Sequence, residues 1–130
     1  MKILIVDDDS TTRKLLGLFL KDSGYEVAYA ENGFEGIEKI VKENPNLIIS
    51  DLNMTYMDGI EFVKSVRAEP IHAEIPILMV TMENDPKERE RAFAAGVNGY
   101  MVKPVTAKIL TQQILNILKK IFSQEGGSNA

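Results

Sequence analysis

Three aspartates in a row, Asp7, Asp8 and Asp9, follow the short apolar run Ile3 to Val6, and another, Asp51, closely follows a second run, Leu47 to Ile49. Carboxylates placed like this can hold a divalent cation, supply a nucleophile or cap a helix. If three meet within about 5 Å, each pair repels by roughly 3 kcal/mol at an effective dielectric near 20, so a cation must offset the charge or protons must bind. An all-oxygen, carboxylate-rich donor set suits Mg²⁺, with Mn²⁺ as the other cation such ligands accept. Mg²⁺ takes one or two carboxylates, keeps several waters and leaves positions for phosphate oxygens. Two more polar residues also follow apolar runs: Thr81 after Ile77 to Val80, and Lys103 after Tyr100 to Val102. Taken singly, each has an ordinary explanation. A helix cap accounts for Asp9 or Ser10, a turn for Asp51, a solvated side chain for Lys103 and a strand-end hydroxyl for Thr81. A cap does not also account for Asp7 and Asp8 at the edge of a hydrophobic run, and the case for chemistry rests on joint placement.

The elements that must position these residues are legible in the hydrophobic pattern. The four runs are continuous rather than alternating, as in strands covered on both faces, and Tyr25 to Ala30 is a fifth, weaker strand candidate. Helical spacing lies between them. Leu15, Leu16, Phe19 and Leu20 share one face of a first helix stopped by Gly24, and Phe34, Ile37, Ile40 and Val41 one face of a second that ends before Pro45. A third helix carries Ile60, Val63 and Val66. A fourth opens at Asp85 and Pro86, closes at Gly96 and has only a thin apolar stripe of Ala92, Phe93 and Ala95. The last shows Leu110, Ile114, Ile117, Leu118 and Ile121 at amphipathic spacing. Five strands alternating with five helices predict an α/β fold, a parallel sheet with helices on both faces. In such sheets ligands bind beyond the carboxyl ends of the strands, where Asp7, Asp8, Asp51, Thr81 and Lys103 fall. Their convergence requires strands one, three, four and five to be neighbours, an order that spacing alone leaves open.

Composition narrows the class. A chain of 130 residues fits one domain, and its 45 % hydrophobic and 26 % charged shares match globular averages. The expected domain spans residues 1–122, with 123–130 as a flexible C-terminal tail. Cysteine is absent, which removes disulfides, thiolate metal sites and cysteine nucleophiles, and the single histidine, His72, cannot build a multi-histidine site. Fifteen basic against nineteen acidic residues give a net charge of −4 with no basic stripe, which disfavours direct nucleic-acid binding. No apolar run suits a signal peptide or a membrane span, so a cytoplasmic location without membrane contact is expected.

Four segments, KILIVDDDSTTRK from Lys2, ISDLNMTYMDGIE from Ile49, ILMVTME from Ile77 and NGYMVKPVT from Asn98, together resemble the receiver domains of two-component response regulators, and within them the single-domain chemotaxis regulators. The resemblance covers the chain up to the last helix. It implies a flavodoxin-like sheet in the order 2-1-3-4-5, an order already on record for this family. It further implies that Asp51 is the phosphoacceptor, that Asp8 ligates Mg²⁺ directly and Asp7 through water, and that the backbone carbonyl of Asn53 completes the ligands. Thr81 and Lys103 contact the phosphoryl oxygens, and the Lys103–Pro104 bond is cis. Asn53 and Glu83 tune dephosphorylation, as a pair typical of short-lived signals. Thr81 and Tyr100 form the switch, which reshapes the surface of helix four, strand five and helix five. The implied donor is a histidine kinase and the implied target a downstream protein such as the flagellar motor switch, reached by a monomer. The chain is expected to catalyse only its own phosphorylation and dephosphorylation.

The sequence departs from the family at Thr55, where proline is usual, and around helix four, where Asn84, Pro86, Arg89, Glu90 and Arg91 add charge. The nearest alternative is a single-domain phosphorelay intermediate. A Mg²⁺-dependent aspartyl-phosphate phosphotransferase would call for a second acid two residues past the nucleophile and for a cap, whereas Asn53 occupies that place and no insertion is long enough. A pseudo-receiver would have lost an acid or the lysine. With no DNA-binding segment after residue 123, a two-domain transcription factor is not expected.

Overall fold

The computed structural model describes residues 1–128, with side chains described as far as Ser123. Five strands, β1 (Lys2–Val6), β2 (Glu26–Ala30), β3 (Leu47–Ser50), β4 (Ile77–Thr81) and β5 (Gly99–Val102), alternate with five helices, α1 (Ser10–Asp22), α2 (Gly33–Glu43), α3 (Gly59–Ala68), α4 (Pro86–Ala95) and α5 (Ala107–Ser128). The strands are all parallel and lie in the order β2-β1-β3-β4-β5. The chain leaves β1 toward one edge and returns through β3 toward the other, so the order reverses between β1 and β3. That reversal opens the crevice in which open α/β sheets bind ligands.

Continuous apolar runs fit this architecture because a strand's side chains alternate faces and both faces are covered. Ile3 and Ile5 of β1, with Leu47 and Ile49 of β3, pack on Leu16 and Leu20 of α1 and on Leu110, Ile114 and Ile117 of α5. Leu4, Val6 and Ile48 face the other way, onto Ile40 of α2, Ile60, Phe62, Val63 and Val66 of α3, and Ala92 of α4. Two layers of core therefore clamp the same strands and hold their carboxyl ends rigidly.

The helices begin and end where the sequence places caps. Asp9, not Ser10, caps α1, its side chain accepting from the Thr12 N–H at 3.3 Å. Asp58 and Asp85 cap α3 and α4, and Pro86 opens α4. Gly96 closes α4 with φ +119, a conformation that glycine adopts without the Cβ penalty. The thin stripe of α4 gives a weakly seated helix. Ala92 is its one fully buried residue, and Phe93, 39 % exposed, lies under the Arg89 guanidinium.

Some expectations need correction. Leu15, Phe34 and Val41, assigned to buried helix faces, are largely exposed, because one face of a helix in a three-layer fold meets the sheet along only a narrow line. α5 runs through Ser128, so positions 123–128 of the expected tail fall within its range. Residues 129 and 130 of that tail lie outside the described residues.

Two contacts brace the loops, one at the end of the sheet opposite the crevice and one beside it. The Arg67 guanidinium, from the end of α3, donates to the carbonyls of Ala73, Ile75 and Gly96 and to Asn98 Oδ1 at 2.7 to 3.1 Å. It thereby ties α3 to the last turn of α4 and the start of β5. Gly59, first residue of α3, donates its N–H to the Leu52 carbonyl at 2.6 Å, and a Cβ there would strike the backbone oxygen of Asp51. Arg67→Ala leaves those carbonyls without their donor and is expected to lower unfolding free energy by about 1–3 kcal/mol in urea titration. Gly59→Ala forces the backbone at Asp51 to move and is expected to cost a similar ~1–3 kcal/mol, read as a fall in Tm.

Candidate functional site

Register explains how the acids meet. Val6 and Ser50 are paired across β1 and β3, so the residues that follow them, Asp7 and Asp51, leave the sheet side by side. Neighbouring strands lie about 4.8 Å apart, and the two carboxylates inherit that closeness. Asp8, one residue on, reaches the same place from the exposed side. One carboxylate oxygen from each of Asp7, Asp8 and Asp51 lies within 4.8 Å of the others. Asp7 and Asp51 are buried and Asp8 is exposed, so the cluster is a shallow cup with one open acid at its rim.

Lys103 reaches across from the end of β5. Its Nζ donates to Asp7 Oδ2 at 2.9 Å and to Asp51 Oδ2 at 3.2 Å. The Lys103–Pro104 peptide is cis. Burial pushes the ammonium toward deprotonation, but the hydrogen bond to Asp7 and the charges of Asp51 and Asp7 outweigh it and hold the pKa above the usual lysine value. Lys103 is therefore charged throughout the neutral range. Burial raises the Asp7 pKa above the usual carboxylate value, while Lys103 and the Asp9 N–H, which donates to Asp7 Oδ1 at 2.9 Å, resist the rise.

One ammonium does not balance three carboxylates. The residual negative charge, the all-oxygen donor set and an exposed Asp8 beside two buried acids fit a hard divalent cation of the Mg²⁺ class. Asp51 Oδ1 accepts the Leu52 N–H at 2.6 Å and, more weakly, the Asn53 N–H at 3.4 Å. These bonds fix the carboxylate's rotation, so the phosphoacceptor candidate is aimed before any partner arrives.

The remaining expected residues form an arc from this cup toward α4. Thr81, fully buried at the end of β4, accepts the Glu83 N–H on its Oγ1 at 3.3 Å, and its carbonyl accepts the Lys103 N–H at 2.8 Å. Tyr100 is half-buried, and its hydroxyl donates to the Glu83 carbonyl at 2.7 Å. Burial, followed by the nearby charge of Glu83, raises the Tyr100 pKa, so the hydroxyl keeps its donor proton. Glu83 thus touches both Thr81 and Tyr100 through its backbone. Asn53 projects its side chain into solvent at the rim.

Sequence reasoning missed several contributors. Arg13, only 14 % exposed at its side chain, donates from Nη1 to the Asp7 carbonyl at 2.6 Å and lies 3.6 Å from Glu31. Its place one turn past the aspartate run was the available signal. Gly59, present in that reasoning only within the segment ISDLNMTYMDGIE, sits against the backbone of Asp51. Thr55, noted as a departure, donates its N–H to Asp8 Oδ2 at 3.2 Å.

Comparison with known proteins gives a consistent picture. A family model described as the response regulator receiver domain matches residues 3–115. The chain is 42 % identical over 120 residues to the chemotaxis protein CheY1 of Helicobacter pylori, covering 91 % of this chain and 97 % of that protein. Among solved structures it resembles the chemotaxis protein CheY4 of Vibrio cholerae, with a TM-score of 0.85 and 39 % identity over 89 % of this chain and 97 % of the other. It also resembles the receiver domain of a signal transduction histidine kinase from Syntrophus aciditrophicus, with a TM-score of 0.84 and 29 % identity over 92 % of this chain and 91 % of that one. The crevice between β1 and β3 and a family match that runs from the first strand into the last helix lead to one assignment: the chain belongs to the response regulator receiver domains.

Proposed function

We propose that this receiver is a phosphorylation switch in which Asp51 accepts a phosphoryl group from the phosphohistidine of a histidine kinase in a Mg²⁺-dependent reaction. The observation that carries this reading is the pinned Asp51 carboxylate, with Lys103 on one side and the acids Asp7 and Asp8 on the other. Receiver domains generally bind Mg²⁺ in an acidic pocket, and Asp8, Asp51 and the Asn53 carbonyl would hold the ion here, with Asp7 acting through water. Mg²⁺, when bound, supplies charge neutralisation for the transferred oxygens.

An Asp51 oxygen attacks phosphorus in line as the bond to the donor's histidine nitrogen breaks, and the electron pair leaves with the imidazole. A carboxylate is a modest nucleophile, so the rate comes from alignment and electrostatics rather than basicity. Lys103 lies within reach of the incoming oxygens, and Thr81 can turn its hydroxyl toward them. Water attack on the acyl phosphate later restores Asp51, at a rate tuned by Asn53 and Glu83. The protein acts on no other substrate.

Readout runs through Thr81 and Tyr100. A Thr81 hydroxyl drawn to the phosphoryl group gives up the Glu83 N–H, and the Tyr100 hydroxyl is bonded to the same residue's carbonyl. The weakly seated α4 then shifts with β5 and α5, a two-state element of the kind a switch requires. The chemotaxis names carried by relatives at 39–42 % identity support a chemotaxis role, and in this reading the receiver is a cytoplasmic monomer whose target is a flagellar motor switch. The likeness to a receiver within a histidine kinase supports a relay step as the second reading.

With Mg²⁺ and a small acyl-phosphate donor, intact-mass analysis is expected to show one added phosphate on the native chain. None is expected with Asp51→Asn or when a chelator replaces the metal. Equal labelling of native and Asp51→Asn chains contradicts the proposal.

A further inference from the structure

We propose that the Thr55 backbone N–H is a positioning group for the metal ligand Asp8, coupling the cation site to the β3–α3 loop. The inference rests on the Mg²⁺ reading above and concerns a residue to which that reading gives no role. Asp8 is exposed, and a solvated aspartate side chain samples several rotamers. Asp7 and Asp51 are held by Lys103 and by backbone N–H groups on their own side of the cup, whereas Asp8 Oδ2 accepts the Thr55 N–H at 3.2 Å across 47 residues of sequence. That bond occupies one oxygen and leaves the other as a free donor toward Asp7 and Asp51.

The loop is built to present this N–H. Met57 packs into the core shared by α2, α3 and the sheet, and it fills the space that a Cβ on Gly33 would need. Tyr56 adopts φ +70, and the Met57 N–H donates to the Thr55 carbonyl at 2.8 Å around it. An i to i+2 bond about a left-handed residue is a γ-turn, a conformation that persists only where its surroundings impose it. The half-buried Met57 and the turn at Tyr56 hold the peptide that follows Thr55, its carbonyl committed to Met57, and the preceding peptide directs the Thr55 N–H to Asp8. Proline at this position has no N–H and cannot make the bond. Thr55 thus gives this chain a contact to its metal ligand that a proline-bearing loop lacks.

Orienting Asp8 before the ion arrives removes part of the ordering cost of binding. Titration calorimetry with Mg²⁺ is expected to show Thr55→Pro binding about three- to tenfold more weakly than the native chain, the loss of one hydrogen bond to a charged group. Thr55→Val keeps the N–H and is expected to bind within about twofold of native. A metal-free check separates the bond from general loop distortion. In chelator, the Tm changes of Thr55→Pro and Asp8→Ala are expected to be non-additive in a double-mutant cycle. Native binding with unchanged Thr55→Pro affinity, equal weakening by Thr55→Val, or strictly additive Tm changes would overturn the role of Thr55 while leaving the Mg²⁺ reading intact. A native chain that does not bind Mg²⁺ at all would overturn both.

Discussion

The mutual repulsion of carboxylates at adjacent strand ends is the constraint on which this molecule turns. Pairing Val6 with Ser50 forces Asp7 and Asp51 together, and partial burial removes much of the water that would screen them. Lys103, delivered from the far end of the chain, meets both carboxylates and makes the arrangement tolerable. It does not complete the balance, and the deficit suits the cup to a hard divalent cation. A site that was fully neutral by itself would have no such appetite.

The fold earns its form from that requirement. Two apolar layers hold the strands from both faces, so the backbone beneath the acids cannot relax the repulsion by spreading. The packing is thinnest on the side facing α4, where one alanine is the only fully buried residue of its helix and Arg67 anchors just the last turn. Glu83 stands between the acid cluster and the loosely seated α4, its backbone N–H meeting Thr81 and its carbonyl meeting Tyr100.

Much of this was legible in the sequence because the relevant signals are local. Continuous apolar runs marked four strands and a weaker pattern the fifth, Asp85, Pro86 and Gly96 marked both ends of α4, and the family resemblance supplied the strand order that spacing left open. What escaped depends on third-dimensional proximity. Leu15, Phe34 and Val41 have helical apolar spacing yet face solvent, because periodicity says which residues align and not how wide the contact is. The donors Arg13 and Thr55 escaped because a backbone carbonyl and a backbone N–H carry no signature in residue type. Gly59 escaped because a turn glycine and a glycine pressed against a neighbouring peptide look alike in one dimension.

The account stands on Asp51 as the covalent acceptor, and the most direct measurement is chemical trapping of that bond. Borohydride reduces an acyl phosphate of aspartate to homoserine, so treating the Mg²⁺-phosphorylated chain with it and sequencing its peptides by mass spectrometry reads the acceptor residue by residue. Homoserine at position 51, absent when Mg²⁺ is withheld, is the predicted result. Homoserine at position 7 or 8, or phosphate retained on a side chain that borohydride does not reduce, would contradict it.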